Sequence, residues 1–332
     1  MLGPLTTFRI GGPAHFFVAV HTLEELKEAL AFASERSVPI LFLGGGSNIL
    51  IADEGFEGLV IKIELRGIEL HKEETGSLLI ASAGESWDGV VAYSVSEHLW
   101  GLENLSGIPG TVGAAPVQNI GAYGSEVKDT IRWVEALDVR TGEIKRFDTV
   151  ACQFAYRSSF FKRDLGRWCV IRVAFGLVTH GTPNVQYRDL AEAFNDRPMP
   201  TLADIRRVVL AIRARKFPDL TKEGTAGSFF LNPVVPVARA NQLKSQFPAL
   251  PQYAADGGIK ISLAWLLDAA LGLKGFSVGG ARLFEKQPLV VVAAPGSSSR
   301  EVESLSREVI EKIRATYAID VEPEVRIVHT RI

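Results

Sequence analysis

Three short polar segments carry residue types that could do chemistry together. Tyr156-Arg-Ser-Ser159 sets a permanent cation beside hydroxyls, and Glu223-Gly-Thr-Ala-Gly-Ser-Phe-Phe-Leu-Asn-Pro233 places Ser228 between a glycine and two phenylalanines. Val321-Glu-Pro-Glu-Val-Arg326 carries Glu324 at the start of an expected strand. A hydroxyl can donate a proton, a guanidinium offers a fixed fork to a carboxylate or developing oxyanion, and a carboxyl can orient or share charge. Taken singly, each has an ordinary reading. Arg157 could make a surface ion pair, Ser228 could cap or turn, and Glu324 could be an exposed strand-end carboxylate. Their joint appearance beside two glycine-rich segments is what favours a site.

The first of those segments, Leu43-Gly-Gly-Gly-Ser-Asn-Ile-Leu50, follows the apolar run from Ile40 to Leu43, which reads as a buried strand. The backbone N–H groups of Gly44, Gly45 and Gly46 could converge on an anion, with the Ser47 hydroxyl and Asn48 amide adding donors. A tight turn is the ordinary alternative. The second segment runs from Gly101 to Gly124 and includes Gly107, Gly110, Gly113, Gly121 and Gly124, stiffened by Pro109 and Pro116. It reads as backbone laid against a flat ligand, because a floppy loop would expose Ile108, Val112, Val117 and Ile120 for no gain. No Lys-Ser or Lys-Thr follows the first cluster as a nucleotide-triphosphatase loop requires, and no strand leads into GxGxxG, so a Rossmann unit is excluded.

The elements that must position these residues are of α+β type. Thr22 and Glu25 form a capping box ahead of Leu23, Leu26, Leu30 and Ala33 at helical spacing. Residues 59–63 and 78–83 read as strands and 87–98 as a helix, while 134–139 and 144–147 form a hairpin turning at Thr141-Gly142. Asn195-Asp-Arg-Pro-Met-Pro-Thr201 marks a boundary before a capped helix carrying Leu202, Ile205, Val208, Val209 and Ile212. A last amphipathic helix opens at Ser298 and Glu301 and carries Val302, Leu305, Val309 and Ile313. A chain of 332 residues favours two domains over one core. A net charge of -2 gives no basic surplus for nucleic acid, and no apolar run suits a membrane span. Met1 to Arg9 lack a signal-peptide pattern, so a cytoplasmic location is expected. Cys152 and Cys169 form no CxxC pair, and neither a disulfide framework nor a metal site is expected.

Taken together, the chain resembles the UDP-N-acetylenolpyruvoylglucosamine reductase family, flavoenzymes of peptidoglycan precursor synthesis. The resemblance runs end to end through Thr7-Phe-Arg-Ile-Gly-Gly-Pro-Ala14, Gly44-Gly-Gly-Ser-Asn-Ile-Leu50, Ile108-Pro-Gly-Thr-Val-Gly113 and Gln118-Asn-Ile-Gly-Ala-Tyr-Gly124. It continues through Tyr156-Arg157, Gly227-Ser-Phe-Phe230, Asn232-Pro233, Leu273-Lys-Gly275 and Pro323-Glu-Val-Arg326. The N-terminus stands a few residues shorter than is usual there, and Leu271-Gly272 adds one residue before Leu273-Lys274.

The resemblance implies an FAD-binding domain of the vanillyl-alcohol-oxidase type, built from two α+β lobes over residues 1–200, followed by an α+β substrate-binding domain over 201–332. Gly44, Gly45, Gly46, Ser47 and Asn48 would hold the FAD diphosphate. Gly107, Ile108, Pro109, Gly110, Thr111, Gly113, Ala114, Asn119, Gly121 and Ala122 would pack on the flavin, without a tethering histidine or cysteine, so FAD would be non-covalent. Tyr187 would belong to a loop that closes over substrate, and Lys216, Asn232, Lys274 and Gln287 would contact the sugar nucleotide. NADPH would reduce the flavin, and UDP-N-acetylglucosamine enolpyruvate would then accept hydride at its methylene carbon. Arg157 and Glu324 would hold the substrate carboxylate, and Ser228 would protonate the adjacent carbon. A monomer without nucleic-acid or membrane partners is expected. The alternatives are a flavin oxidase of the same fold and a non-catalytic flavin- or sugar-nucleotide-binding module.

Overall fold

The computed structural model describes residues 1–195 and 199–330. Residues 196–198 of the proline-rich boundary expected at 195–201 lie outside the described residues. The first lobe is a three-stranded parallel sheet in which Phe56–Ile63 lies between Ala14–Val20 and Ile40–Leu43. Both its faces are covered, so the central strand is apolar on successive residues: Leu59, Ile61 and Ile63 pack beneath the helix Leu23–Glu35, and Val60 packs opposite. Thr22 caps that helix in the expected box with Glu25.

The second lobe is a five-stranded antiparallel sheet. Its order runs from Ile144–Asp148 through Ile131–Asp138, Trp168–Val178 and Gly76–Ser82 to Ile68–Lys72. The helix Trp87–Ser96 packs on it through Trp87, Val90 and Val91. The hairpin turn falls at Gly142, whose φ of 72° suits glycine. The helix Leu202–Lys216 has the expected Thr201–Asp204 capping box and buries Ile205, Val209 and Ile212 against Tyr123, Leu190 and Phe194.

The third core gathers around the antiparallel strands Gly224–Ser228, Gln287–Ala293, Ala281–Phe284 and Ser277–Val278 and the helix Ser299–Tyr317. The helix's buried Val302, Leu305, Val309 and Ile313 are the residues its sequence period placed on one face. A π-helical turn spans Leu266–Ala270, with Leu271 N–H bonded to Leu266 O at 3.0 Å. Two returns tie this part to the first lobe. Phe8 and Ile10 enter its core, and the strand Arg326–Val328 pairs in parallel with Ile49–Ile51 beside the first glycine cluster.

Ala318, which follows the helix Ser299–Tyr317, has a φ of 48°. Left-handed backbone costs an ordinary L-residue about 1–2 kcal/mol but costs glycine almost nothing, against glycine's greater freedom when unfolded. Ala318→Gly is therefore expected to stabilise the protein by about 0.5–1 kcal/mol, read as a higher urea midpoint.

Candidate active site

One cavity of about 1670 Å³ opens where the three parts meet, larger than the roughly 300–1,000 Å³ usual for a single small ligand. Its walls carry Gly44 to Asn48 from the first lobe, most of the 107–126 segment with Tyr156 and Arg157 from the second, and Ser228, Asn232, Gln287 and Glu324 from the third. Tyr187 and Lys216 also border it.

The two glycine clusters touch each other before they touch any ligand. A Cβ on Gly45 would lie 2.7 Å from Gly110 Cα, and one on Gly44 would lie 2.5 Å from Thr111 Oγ1. The Ser47 hydroxyl donates to Pro109 O at 2.9 Å, and the Asn48 amide donates to Gln118 Oε1 and, at 3.3 Å, to Glu324 O. These two side chains thus stitch the clusters together rather than pointing spare donors outward. The backbone N–H groups of Gly45, Gly46 and Ser47 have no acceptor among the described residues. Such orphaned donors, gathered in a turn, suit an anion such as the FAD diphosphate. In the second segment several N–H groups are occupied, since Gly107 donates to Asp88, Val112 to Glu85 O and Gly113 to Ala83 O. Protein bonds therefore fix that wall.

Arg157, Glu324 and Ser228 all line the cavity. Arg157 Nε lies 3.1 Å from Glu324 Oε1, and both side chains are largely buried, at 20% and 12% exposure. Arg157 has a φ of 52°, and its guanidinium donates to Gly121 O at 2.7 Å and to Asn119 O at 3.4 Å. Burial pushes the Glu324 carboxyl above the usual carboxylate range despite the nearby Arg157 and Lys162 cations. Glu324 precedes its strand by two residues instead of starting it, and its N–H bonds Phe229 O at 2.7 Å. Ser228 ends its own strand after a bulge and follows Gly227, whose φ is 76°. Its hydroxyl engages no protein group among the described residues, which leaves it available to a ligand.

Tyr187 is 45% exposed and meets Tyr123 edge to face at 5.5 Å. Lys216 Nζ pairs with both oxygens of Asp189, at 2.7 and 2.6 Å. Asn232 accepts from Leu263 N–H at 3.0 Å and donates towards the Tyr156 hydroxyl at 3.5 Å. Gln287 lies on the wall, whereas Lys274 lies off it, paired with Asp268 at 2.5 Å. Asn119 is fully buried behind the wall, where its amide bonds Glu126 at 2.8 Å and Ala155 O at 3.1 Å. Several lining residues were not singled out as ligand contacts by the sequence, among them three basic residues and Gln118. Lys260 stands over the Tyr156 ring at 4.4 Å, Lys162 donates to Arg157 O at 3.0 Å, Arg213 donates to Gly107 O at 2.9 Å, and Gln118 receives Asn48. Basic residues on a helix and a short strand look like ordinary surface residues in sequence, so only the contacts single them out.

Neither cysteine belongs to the site. Both are buried and free, and burial raises each thiol to about 12, so both remain protonated near neutrality. No group of three or more histidine, cysteine, aspartate or glutamate residues suited to a metal ion occurs among the described residues. No helix among them is long and apolar enough to cross a membrane.

An FAD-binding-domain family matches residues 14–148, which with the paired glycine walls defines a flavoprotein whose cavity extends into a further domain. Residues 219–328 match the UDP-N-acetylenolpyruvoylglucosamine reductase C-terminal domain. Reductases of that name from Pseudomonas fluorescens and Ralstonia nicotianae are each 40% identical, covering 97% of this chain and 96% of their own. The crystal structure of UDP-N-acetylenolpyruvylglucosamine reductase from Thermus caldophilus matches with a TM-score of 0.69 at 25% identity, over 99% of this chain and 97% of that one. The chain belongs to the UDP-N-acetylenolpyruvoylglucosamine reductase family.

The raised Glu324 pKa gives a signed pH dependence. Below about pH 4.3, the ordinary glutamate value, the carboxyl is neutral folded and unfolded. Above it the unfolded state loses its proton first, so Glu324's contribution to stability declines until pH passes its folded pKa. In the FAD-free protein, the stability of wild type relative to Glu324→Gln should fall as pH rises from 4 to 7. A relative stability that rises with pH would reverse the assigned direction.

Proposed function

We propose that this protein catalyses the NADPH-dependent reduction of UDP-N-acetylglucosamine enolpyruvate to UDP-N-acetylmuramate in peptidoglycan synthesis. The observation that carries the proposal is the buried Arg157–Glu324 pair in one cavity with the unengaged Ser228 hydroxyl. Its relatives of 40% identity bear that reductase's name.

Non-covalent FAD, when bound, would supply the hydride-transfer chemistry between NADPH and the enolpyruvyl methylene carbon. The N–H groups of Gly45, Gly46 and Ser47 hold its diphosphate, with Gly44 and Asn48 shaping the turn. Gly107, Ile108, Pro109, Gly110, Thr111, Gly113, Ala114, Gly121 and Ala122 form the wall for its ring, while Asn119 steadies Arg157 from behind. Tyr187, Lys216, Asn232 and Gln287 contact the sugar nucleotide. Lys274, expected to join them, stands off the cavity wall and pairs with Asp268. Arg157 binds the substrate carboxylate through its fork. As hydride arrives at the methylene carbon, electrons move onto the adjacent carbon and the carboxylate, and the guanidinium stabilises that enediolate-like charge. Glu324, favoured in its neutral form by burial, can share a hydrogen bond with the same carboxylate. Ser228 gives its proton to the adjacent carbon, completing addition of a hydride and a proton across the double bond.

The same reading divides the chain into an FAD-binding part, 1–200, and a substrate-binding part, 201–332. The helix Leu202–Lys216 acts as their joint, since its buried face packs on the first part and Lys216 serves the substrate. A cytoplasmic monomer without nucleic-acid or membrane partners completes it.

Stopped-flow absorbance at the flavin band separates the two half-reactions. Ser228→Ala should still be bleached by NADPH at a near-normal rate, whereas recovery of colour with the enolpyruvyl substrate should slow by about 10²–10⁴. If both steps slow alike, Ser228 positions FAD instead of donating a proton. Wild-type protein that binds no FAD would remove the whole reading.

A further inference from the structure

Behind the ring-facing wall lies a charge cluster whose Asp88 and Arg206 stand off the cavity while its Arg213 borders it. Asp88 is the second residue of the helix Trp87–Ser96, where a carboxylate ordinarily serves its own helix terminus. Here it reaches outward. Asp88 Oδ1 accepts the Gly107 N–H at 2.6 Å, and Arg206 grips the same carboxylate with Nη1 to Oδ1 at 2.6 Å and Nη2 to Oδ2 at 2.8 Å. The carbonyl of Gly107 is held from the other side by Arg213 Nε at 2.9 Å, and the Arg213 guanidinium stacks over Phe217 at 4.6 Å.

Gly107 needs such a clamp. Its φ is 70°, in the left-handed region that favours glycine, and a Cβ there would lie 2.8 Å from Leu210 Cδ2, which would have to shift to admit it. Glycine leaves the backbone free to choose among several conformations. Charge-assisted bonds on both its N–H and its C=O remove that choice. Arg206 and Arg213 are seven residues apart on one helix and share a face, so a single helix sets both bonds. The next residues, Ile108, Pro109 and Gly110, line the cavity, and Gly110 packs directly against Gly45.

We propose that Asp88, fixed by Arg206, is a positioning residue for FAD: its bond to the Gly107 N–H holds the 107–110 wall in its binding conformation before FAD arrives. The gain comes from preorganisation, since a wall that must order on binding weakens affinity. This inference rests on the flavoprotein reading.

The test measures the FAD dissociation constant of the purified holoenzyme by the rise in flavin fluorescence on dilution, for wild type, Asp88→Ala, Asp88→Asn and Arg206→Met. Asp88→Ala loses the acceptor for Gly107 and should bind FAD roughly tenfold or more weakly. Asp88→Asn keeps an acceptor while losing the charge, and should recover affinity to within about threefold of wild type. Arg206→Met should fall between the two. A dissociation constant for Asp88→Ala within twofold of wild type overturns the proposal. So does Asp88→Asn as weak as Asp88→Ala, because the ion pair alone would then matter. If Asp88→Ala does not fold, the order of Asp88→Asn and Arg206→Met decides: Arg206→Met the weaker supports the proposal, and Asp88→Asn the weaker overturns it. Wild type without FAD would instead defeat the flavoprotein reading itself.

Discussion

The buried pair between Arg157 and Glu324 is the contact around which the rest of the site is arranged. Arg157 comes from the second lobe and is held in left-handed backbone, with its guanidinium bonded to the carbonyls of Asn119 and Gly121. Glu324 comes from the returning C-terminal segment, whose backbone is bonded both to Asn48 in the first lobe and to Phe229 in the third part. The ion pair therefore joins the second lobe to a segment bonded to both other parts. Such a pair adds little net stability, because removing two charges from water costs about as much as their attraction returns. The pair also sets the Arg157 fork beside a carboxyl whose pKa burial raises, against the opposing pull of Arg157 and Lys162.

The glycine clusters serve this arrangement by close approach. Gly45 against Gly110 brings two backbone walls within contact distance, and the Ser47 and Asn48 side chains lock that spacing. The unpaired N–H groups of the first cluster remain as the polar feature of the cradle. Rigidity in one wall and open donors in the other are what a large, bound, non-covalent cofactor requires.

Much of this was legible in sequence because it is local. The capping box at Thr22 and the helix starts at Thr201 and Ser298 are where the sequence places them, and the helix periods identify the faces that are buried. The glycine clusters stand out in sequence and both line the cavity, but their mutual contact has no local signal, since 62 residues separate Ser47 from Pro109. Lys274 and Asn119 sit in motifs that suggest ligand contact, yet Lys274 is drawn to Asp268 and Asn119 works from behind the wall. Lys260 and Arg213 left no local signal, because their significance depends on Tyr156 and Gly107, each about a hundred residues away along the chain. Side-chain type and spacing report helices and turns. They do not report which distant backbone a side chain will meet.

We infer that Arg157 and Glu324 act as one unit on the substrate carboxylate. A double-mutant cycle read on the rate at which enolpyruvyl substrate restores the flavin colour tests it directly, using Arg157→Ala, Glu324→Ala and the double variant. If the residues act together, the double variant should be little slower than the slower single variant, a departure from additivity of about 0.5–3 kcal/mol. Rate losses that simply multiply would show two independent groups and contradict the account.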